Sequence, residues 1–263
     1  YVKKELWAGG QVPYEQDHQC VPYLEWFVPE KLTSKSIQII YSGGAYQFNG
    51  PDGFEVAPFR RYLNEKGMTV VTMKYRTPRP KGLAKHTTAW ADLQRCIRLV
   101  RAEAPKLGLD PNKIGIMGSS AGGHLTLMGA TSSRSLAYWP QDQIDYISCK
   151  ANWAVGIYPA YSLTDGVDVE NVGGGNGDDA RLVPEFAFDL DTCPMVFIHG
   201  DADGWAAMNS VKAWEQMRRM GIQSDLHTLA TRHHCFQMKA SPGTGSYTWM
   251  DRIWEFMNAK GIR

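Results

Sequence analysis

No apolar stretch in these 263 residues approaches the ~18 consecutive residues that a membrane-crossing helix needs. An excess of one charge is also missing: 28 basic residues stand against 27 acidic ones, for a net +1. That balance leaves no electrostatic footprint for nucleic acid or an anionic bilayer, so neither is expected as a partner. Cys20, Cys96, Cys149, Cys193 and Cys235 show no CxxC and no zinc-ligand spacing, and their number is odd. At least one is unpaired, and most read as small buried hydrophobes. The run Gly173-Gly174-Gly175-Asn176-Gly177 lacks a following Lys-Ser/Thr and borders Asp178-Asp179, which argues against phosphate cradling. No repeat or linker composition divides the chain, so one soluble domain over 1–263 is expected. The first residue is Tyr1, not methionine, as after removal of a secretory leader or after trimming. A secreted or periplasmic location is the expectation, and oligomeric state stays open.

What is present alternates. Strand-like runs lie at Pro22–Pro29, Ser36–Ser42, Met68–Tyr75, Lys113–Met117, Ala151–Tyr158, Pro194–His199 and Gln223–Leu229. Helical stripes separate them. Leu93, Cys96, Ile97 and Val100 share one face, as do Val211, Trp214 and Met217, then Met250, Ile253, Trp254 and Met257. Ser210 reads as the N-cap of the second stripe, with Gly221 its stop, and Gly261 closes the third. Such alternation predicts an α/β architecture, a mostly parallel central sheet with helices on both faces. Tyr161–Thr192 breaks the pattern and reads as a lid or surface loop.

One motif carries chemistry. Gly118-Ser119-Ser120-Ala121-Gly122 stands between the apolar run Lys113–Met117 and the helix-like Gly123–Met128. G-x-S-x-G between strand and helix is a nucleophile elbow, a strained turn that lifts a serine hydroxyl above the sheet. Only Ser120 has glycine two residues away on both sides, so it is the candidate nucleophile.

The other parts follow in chain order. An oxyanion formed at Ser120 needs amide donors, one from Ala121 and one from a loop after an earlier strand. Ile39-Ile40-Tyr41-Ser42-Gly43-Gly44-Ala45 supplies such a loop, so the second donor is Gly44 or Ala45. A carboxylate is expected after a later strand, and Asp201 and Asp203 both follow Pro194–Gly200. A histidine is expected last, and His233 and His234 both follow Leu226–Leu229. A zinc site from His233-His234-Cys235 is disfavoured because adjacent side chains on an extended segment point apart. His124 and His199 read as structural. Serine, acid and histidine in that order match the α/β-hydrolase fold.

The chain resembles the esterase branch of those hydrolases that includes bacterial acetylxylan esterases and BD-FAE-like relatives. Leu6-Trp7, Tyr41–Tyr46, Lys74-Tyr75-Arg76, Asp110–Gly118, Ser120–Leu125, His199–Asp203 and His234-Cys235-Phe236 carry the resemblance. The resemblance implies Asp203 as the acid, from its H-G-x-x-D spacing, and His234 as the base. It also implies a serine esterase for short acyl groups, acetyl above all, on plant cell-wall carbohydrates such as xylan. The expected partner is a small-molecule or oligosaccharide ester, with no metal or organic cofactor. Departures cluster near the pocket: Ser42-Gly43-Gly44-Ala45 replaces the commoner H-G-G-G, His233-His234-Cys235-Phe236 the commoner G-H-G-F, and Trp205 an aliphatic residue. Tyr46 and Trp205 are therefore candidate substrate contacts, with Tyr158 and Tyr161 as further aromatics for a sugar face. Feruloyl or generic carboxylesterase, amidase or peptidase activity on the same fold, and a non-catalytic carbohydrate binder are the alternatives.

Overall fold

The computed structural model describes residues 2–7, 9, 11–15, 20–164 and 180–262. Eight strands are present among them: β1 (Val2–Glu5), β2 (Tyr23–Phe27), β3 (Ile37–Tyr41), β4 (Thr69–Lys74), β5 (Ile114–Ser119), β6 (Trp153–Ile157), β7 (Met195–Gly200) and β8 (Asp225–Leu229). They form one sheet in the order β1-β2-β4-β3-β5-β6-β7-β8. The β1–β2 and β2–β4 pairs are antiparallel, and every pair from β4 onward is parallel. The expected strands all form, within a residue or two of the predicted limits. β1 is additional; its exposed edge position leaves no apolar signature.

Among the described residues, five α-helices cover the sheet: α1 (Ala57–Glu65), α2 (Thr87–Glu103), α3 (Ala121–Thr131), α4 (Met208–Arg219) and α5 (Trp249–Ala259). Successive strand residues point to opposite faces, and the core divides accordingly. Ile39, Ile116, Ala154 and Phe197 meet Leu93, Ile97, Leu125 and Met217 on the α2, α3 and α4 side. Ile40, Met117, Val155 and Ile198 meet Phe59, Leu63, Ile253 and Phe256 on the α1 and α5 side. Burying both faces explains why the central strands read as continuous apolar runs. Each fully buried Ile, Leu or Phe contributes about 1.5–3 kcal/mol. Helix α3 lies over the middle of the sheet, with all eleven of its residues buried.

One local reading is corrected. Ser210 does not cap α4: the helix starts at Met208, and the buried Ser210 Oγ lies 2.8 Å from His199 Nδ1. A better partner for the hydroxyl than its own helix end is a ring held under β7. The Tyr161–Thr192 segment is drawn together at its base, where Leu163 bridges Leu182 and the Val183 N–H donates to Ser162 O at 3.0 Å. The glycine run and the proposed lid tip, residues 165–179, lie outside the described residues.

Candidate active site

β5 ends at Ser119 and α3 opens at Ala121, leaving Ser120 alone in the turn at φ 56°, ψ −121°. A non-glycine residue in that region costs of order 1–3 kcal/mol and persists only when its surroundings impose it. Here they do. The Ser120 N–H donates to Ile157 O at 2.9 Å, and its carbonyl accepts from the Ala160 and His124 amides. A Cβ on Gly118 would sit 2.3 Å from Gly122 O, and one on Gly122 would sit 2.6 Å from Ser42 O. The two flanking glycines are thus required by close backbone approach.

The turns after β7 and β8 bring two groups to this hydroxyl. His234 Nε2 lies 2.8 Å from Ser120 Oγ, and His234 Nδ1 lies 2.7 Å from Asp203 Oδ2. Asp203 is buried, and its Oδ1 accepts the Trp205 N–H at 2.9 Å. Burial alone pushes that carboxyl up, but hydrogen bonds from His199 and His234 outweigh it and hold the pKa at about 2. An anionic Asp203 therefore persists at neutral pH. His199 lies behind it, between Ser210 and the Trp205 carbonyl, with no path to Ser120. Of the alternatives left open by the sequence, Asp201 and His233 are exposed and outside this chain of contacts.

The loop after β3 closes the other side. Gly43 packs so tightly on the elbow that a Cβ there would lie 2.8 Å from Ser120 Cβ. Its N–H donates to Glu55 Oε2 at 2.8 Å, so it is already committed. The amides of Gly44 and Ala45 come next, both at positive φ. Ala121 opens α3, where backbone amides lack intrahelical acceptors and the helix dipole favours negative charge. The Tyr75 hydroxyl reaches the Ser42 and Gly43 carbonyls, at 3.0 Å each, and Ser42 Oγ accepts the Gly50 N–H. The loop is preorganised by buried side chains.

Glu55 is the residue that sequence reasoning missed. Asp52-Gly53-Phe54-Glu55 reads as a polar turn, and nothing in its spacing points to the elbow. Yet Glu55 is buried and spans Gly43 and the Tyr158 hydroxyl, which lies 3.0 Å from Oε1. Burial raises its pKa, opposed by the Gly43 amide and Tyr158 hydroxyl. The Tyr158 ring in turn packs 4.7 Å from His234. Glu55→Ala is expected to orphan the Gly43 amide, while the Tyr158 hydroxyl keeps Gln237 Oε1 at 2.6 Å, and to lower stability by about 1–3 kcal/mol in urea unfolding. An unchanged unfolding midpoint would refute this brace.

The aromatic candidates separate by burial. Tyr46 cannot touch a substrate: it is 1 % exposed and its hydroxyl lies 2.8 Å from His124 Nδ1. Tyr158 is likewise core. The positive φ of Tyr46 turns its ring inward, under Tyr161. Trp205 and Tyr161 are half-buried and meet edge to face at 5.1 Å, with the Trp205 ring 6.0 Å from His234. They form a wall beside the site.

The acetylxylan esterase of Xylanibacter ruminicola is 25% identical over 224 residues, covering 80% of this chain and 42% of that protein. The chain thus spans less than half the length of the curated relatives it matches. An acetyl ester-xyloside bifunctional hydrolase from Caldicellulosiruptor lactoaceticus superposes with a TM-score of 0.77 at 22% identity, covering 99% of this chain and 97% of that one. Esterase 2 of Thermogutta terrifontis, phosphonylated by cyclosarin, gives 0.75 at 24% identity, covering 97% and 96%. These likenesses establish the α/β-hydrolase fold. The BD-FAE family model matches residues 24–173, more than half of the sequence, from β2 through the elbow to beyond β6. On that match, the chain belongs to the BD-FAE family.

Proposed function

We propose that this chain is a serine carboxylesterase whose substrates are short acyl esters, chiefly acetyl groups on plant cell-wall carbohydrates such as xylan. The observation that carries the reading is the unbroken contact from Asp203 through His234 to Ser120, at 2.7 and 2.8 Å. His234 Nε2 takes the Ser120 proton as Oγ bonds to the ester carbonyl carbon. Asp203 accepts from Nδ1–H, holding the ring in the tautomer that leaves Nε2 free and stabilising the imidazolium. The carbonyl oxygen becomes an oxyanion facing the Ala121 amide and that of Gly44 or Ala45. Collapse breaks the bond to the alcohol oxygen, which receives the proton from His234. Water, deprotonated by His234, then attacks the acyl-enzyme; the acid leaves and Ser120 recovers its proton. The scheme calls on no metal or organic cofactor.

The short-acyl preference is supported by the Trp205 and Tyr161 wall beside His234. The carbohydrate assignment is supported by the acetylxylan esterase relative. In a series of aryl esters, acetate is expected to turn over faster than octanoate, with acetate also released from acetylated xylo-oligosaccharides. Faster octanoate hydrolysis would replace the reading with a lipase, and faster feruloyl hydrolysis with a feruloyl esterase. Aryl acetate cleavage with no acetate from any acetylated glycan would leave a generic carboxylesterase.

A further inference from the structure

Behind the aromatic wall lies a second cluster of chemistry-bearing side chains that the esterase scheme does not use. His124 projects from α3 one turn beyond Ser120, His86 stands at the N-terminal end of α2, and Glu185 follows the strand-like bridge at Leu182. One ligand-capable atom from each lies within 4.8 Å of the others. His124 Nε2 is 3.3 Å from Glu185 Oε1, and His86 Nδ1 is 3.9 Å from the same oxygen. His86 is 9 % exposed, and its Nδ1 has no hydrogen-bond partner. An orphaned buried imidazole nitrogen aimed at a carboxylate calls for an explanation.

We propose that His86, His124 and Glu185 form a binding site for a divalent transition metal of the Zn²⁺ or Co²⁺ type. Two imidazoles and one carboxylate are a donor set that zinc sites use, with bonds of about 2.0–2.2 Å. Tetrahedral ligands at that radius stand about 3.3–3.5 Å apart, so the His124–Glu185 pair is already at ligand spacing. Only the His86 ring, at the end of its helix, has to close in. The outer contact is present too: His124 Nδ1 meets the Tyr46 hydroxyl at 2.8 Å, and with Nδ1–H donating to that oxygen the Nε2 lone pair is free to ligate. Lys85 directs its ammonium over the Tyr161 ring, 4.9 Å from the centroid. Three N/O donors are too few for Ca²⁺, which takes six to eight oxygens, and the nitrogens disfavour Mg²⁺. A bound ion would tie the segment after the Leu163–Leu182 bridge to α2 and to α3, the helix that follows Ser120. The site is independent of the serine chemistry proposed above.

The test is titration of the chelator-treated full chain with Zn²⁺ and with Co²⁺. The wild type is expected to bind one equivalent, with visible Co²⁺ d–d bands of a four-coordinate site. Tm should rise by about 5–10 °C at a hundredfold excess over Kd. His86→Ala, at the N-cap of α2, and Glu185→Gln, at a partly exposed position, should each lose the bands and the Tm rise. Tyr46→Phe should weaken binding by about 10- to 100-fold through loss of the outer contact. Absence of binding by the wild type overturns the proposal. So does binding that survives in both His86→Ala and Glu185→Gln, as it would for an ion held at His233, His234 and Cys235.

Discussion

Ser120→Ala is expected to reduce ester hydrolysis by at least about 10⁴-fold while leaving the unfolding midpoint close to that of the wild type. The Ser120 backbone is held by Ile157, Ala160 and His124, none of which needs the hydroxyl. Alanine at φ 56° suffers a strain similar to that of serine, so the elbow survives the change. Ser119→Ala is the control: Ser119 Oγ is buried without a hydrogen-bond partner, so its removal should scarcely alter turnover. Steady-state kinetics on an aryl acetate decides between them. An active Ser120→Ala, or an inactive Ser119→Ala, would mean that the elbow presents the wrong hydroxyl.

Asp203→Asn should lower kcat by about 10⁴-fold, through the tautomer of His234 rather than through binding. Asp203 Oδ2 faces His234 Nδ1 at 2.7 Å, and only an acceptor there keeps the ring proton on Nδ1. An amide nitrogen in that place would favour the opposite tautomer, with its proton on Nε2 facing Ser120 Oγ. Asp201→Asn should change kcat by less than about tenfold, because its carboxylate is exposed and makes no contact with His234. KM should move little in either variant. Equal kcat losses would reject the assignment of Asp203 as the orienting acid.

Sequence patterns and structure agree where the interaction is local or periodic. Strands β3 to β7 were legible because burial of both faces writes a nearly continuous apolar run into the chain, while β2 and β8 are only partly buried. The elbow was legible because two backbone contacts, Gly118 on Gly122 and Gly122 on Ser42, admit no side chain. Where one side chain is recruited by a distant one, local pattern failed. Ser210 resembles a helix cap, but His199 takes its hydroxyl. Tyr46 follows the oxyanion loop and resembles a pocket residue, but a positive φ turns it into the core toward His124. Glu55 has no local signature, since its partners Gly43 and Tyr158 lie in separate loops.

By itself, then, the sequence determined the layered α/β plan and the serine turn, and it ordered the acid and histidine loops after that turn. Those features depend on hydrophobic period and on steric limits within a few residues, which any reading of the chain can test. Only the tertiary structure placed Asp203 rather than Asp201, and His234 rather than His233, in contact with one another beside Ser120, and it buried Tyr46 away from the pocket surface. It alone brought Glu55 under the Gly43 amide and gathered His86, His124 and Glu185 from α2, α3 and the segment after residue 180. The reason is physical: hydrogen bonds and ligand contacts depend on angles and distances of a few ångströms across a parallel sheet. Parallel strands need long crossovers, so residues that meet at their ends are far apart in the chain and share no local pattern.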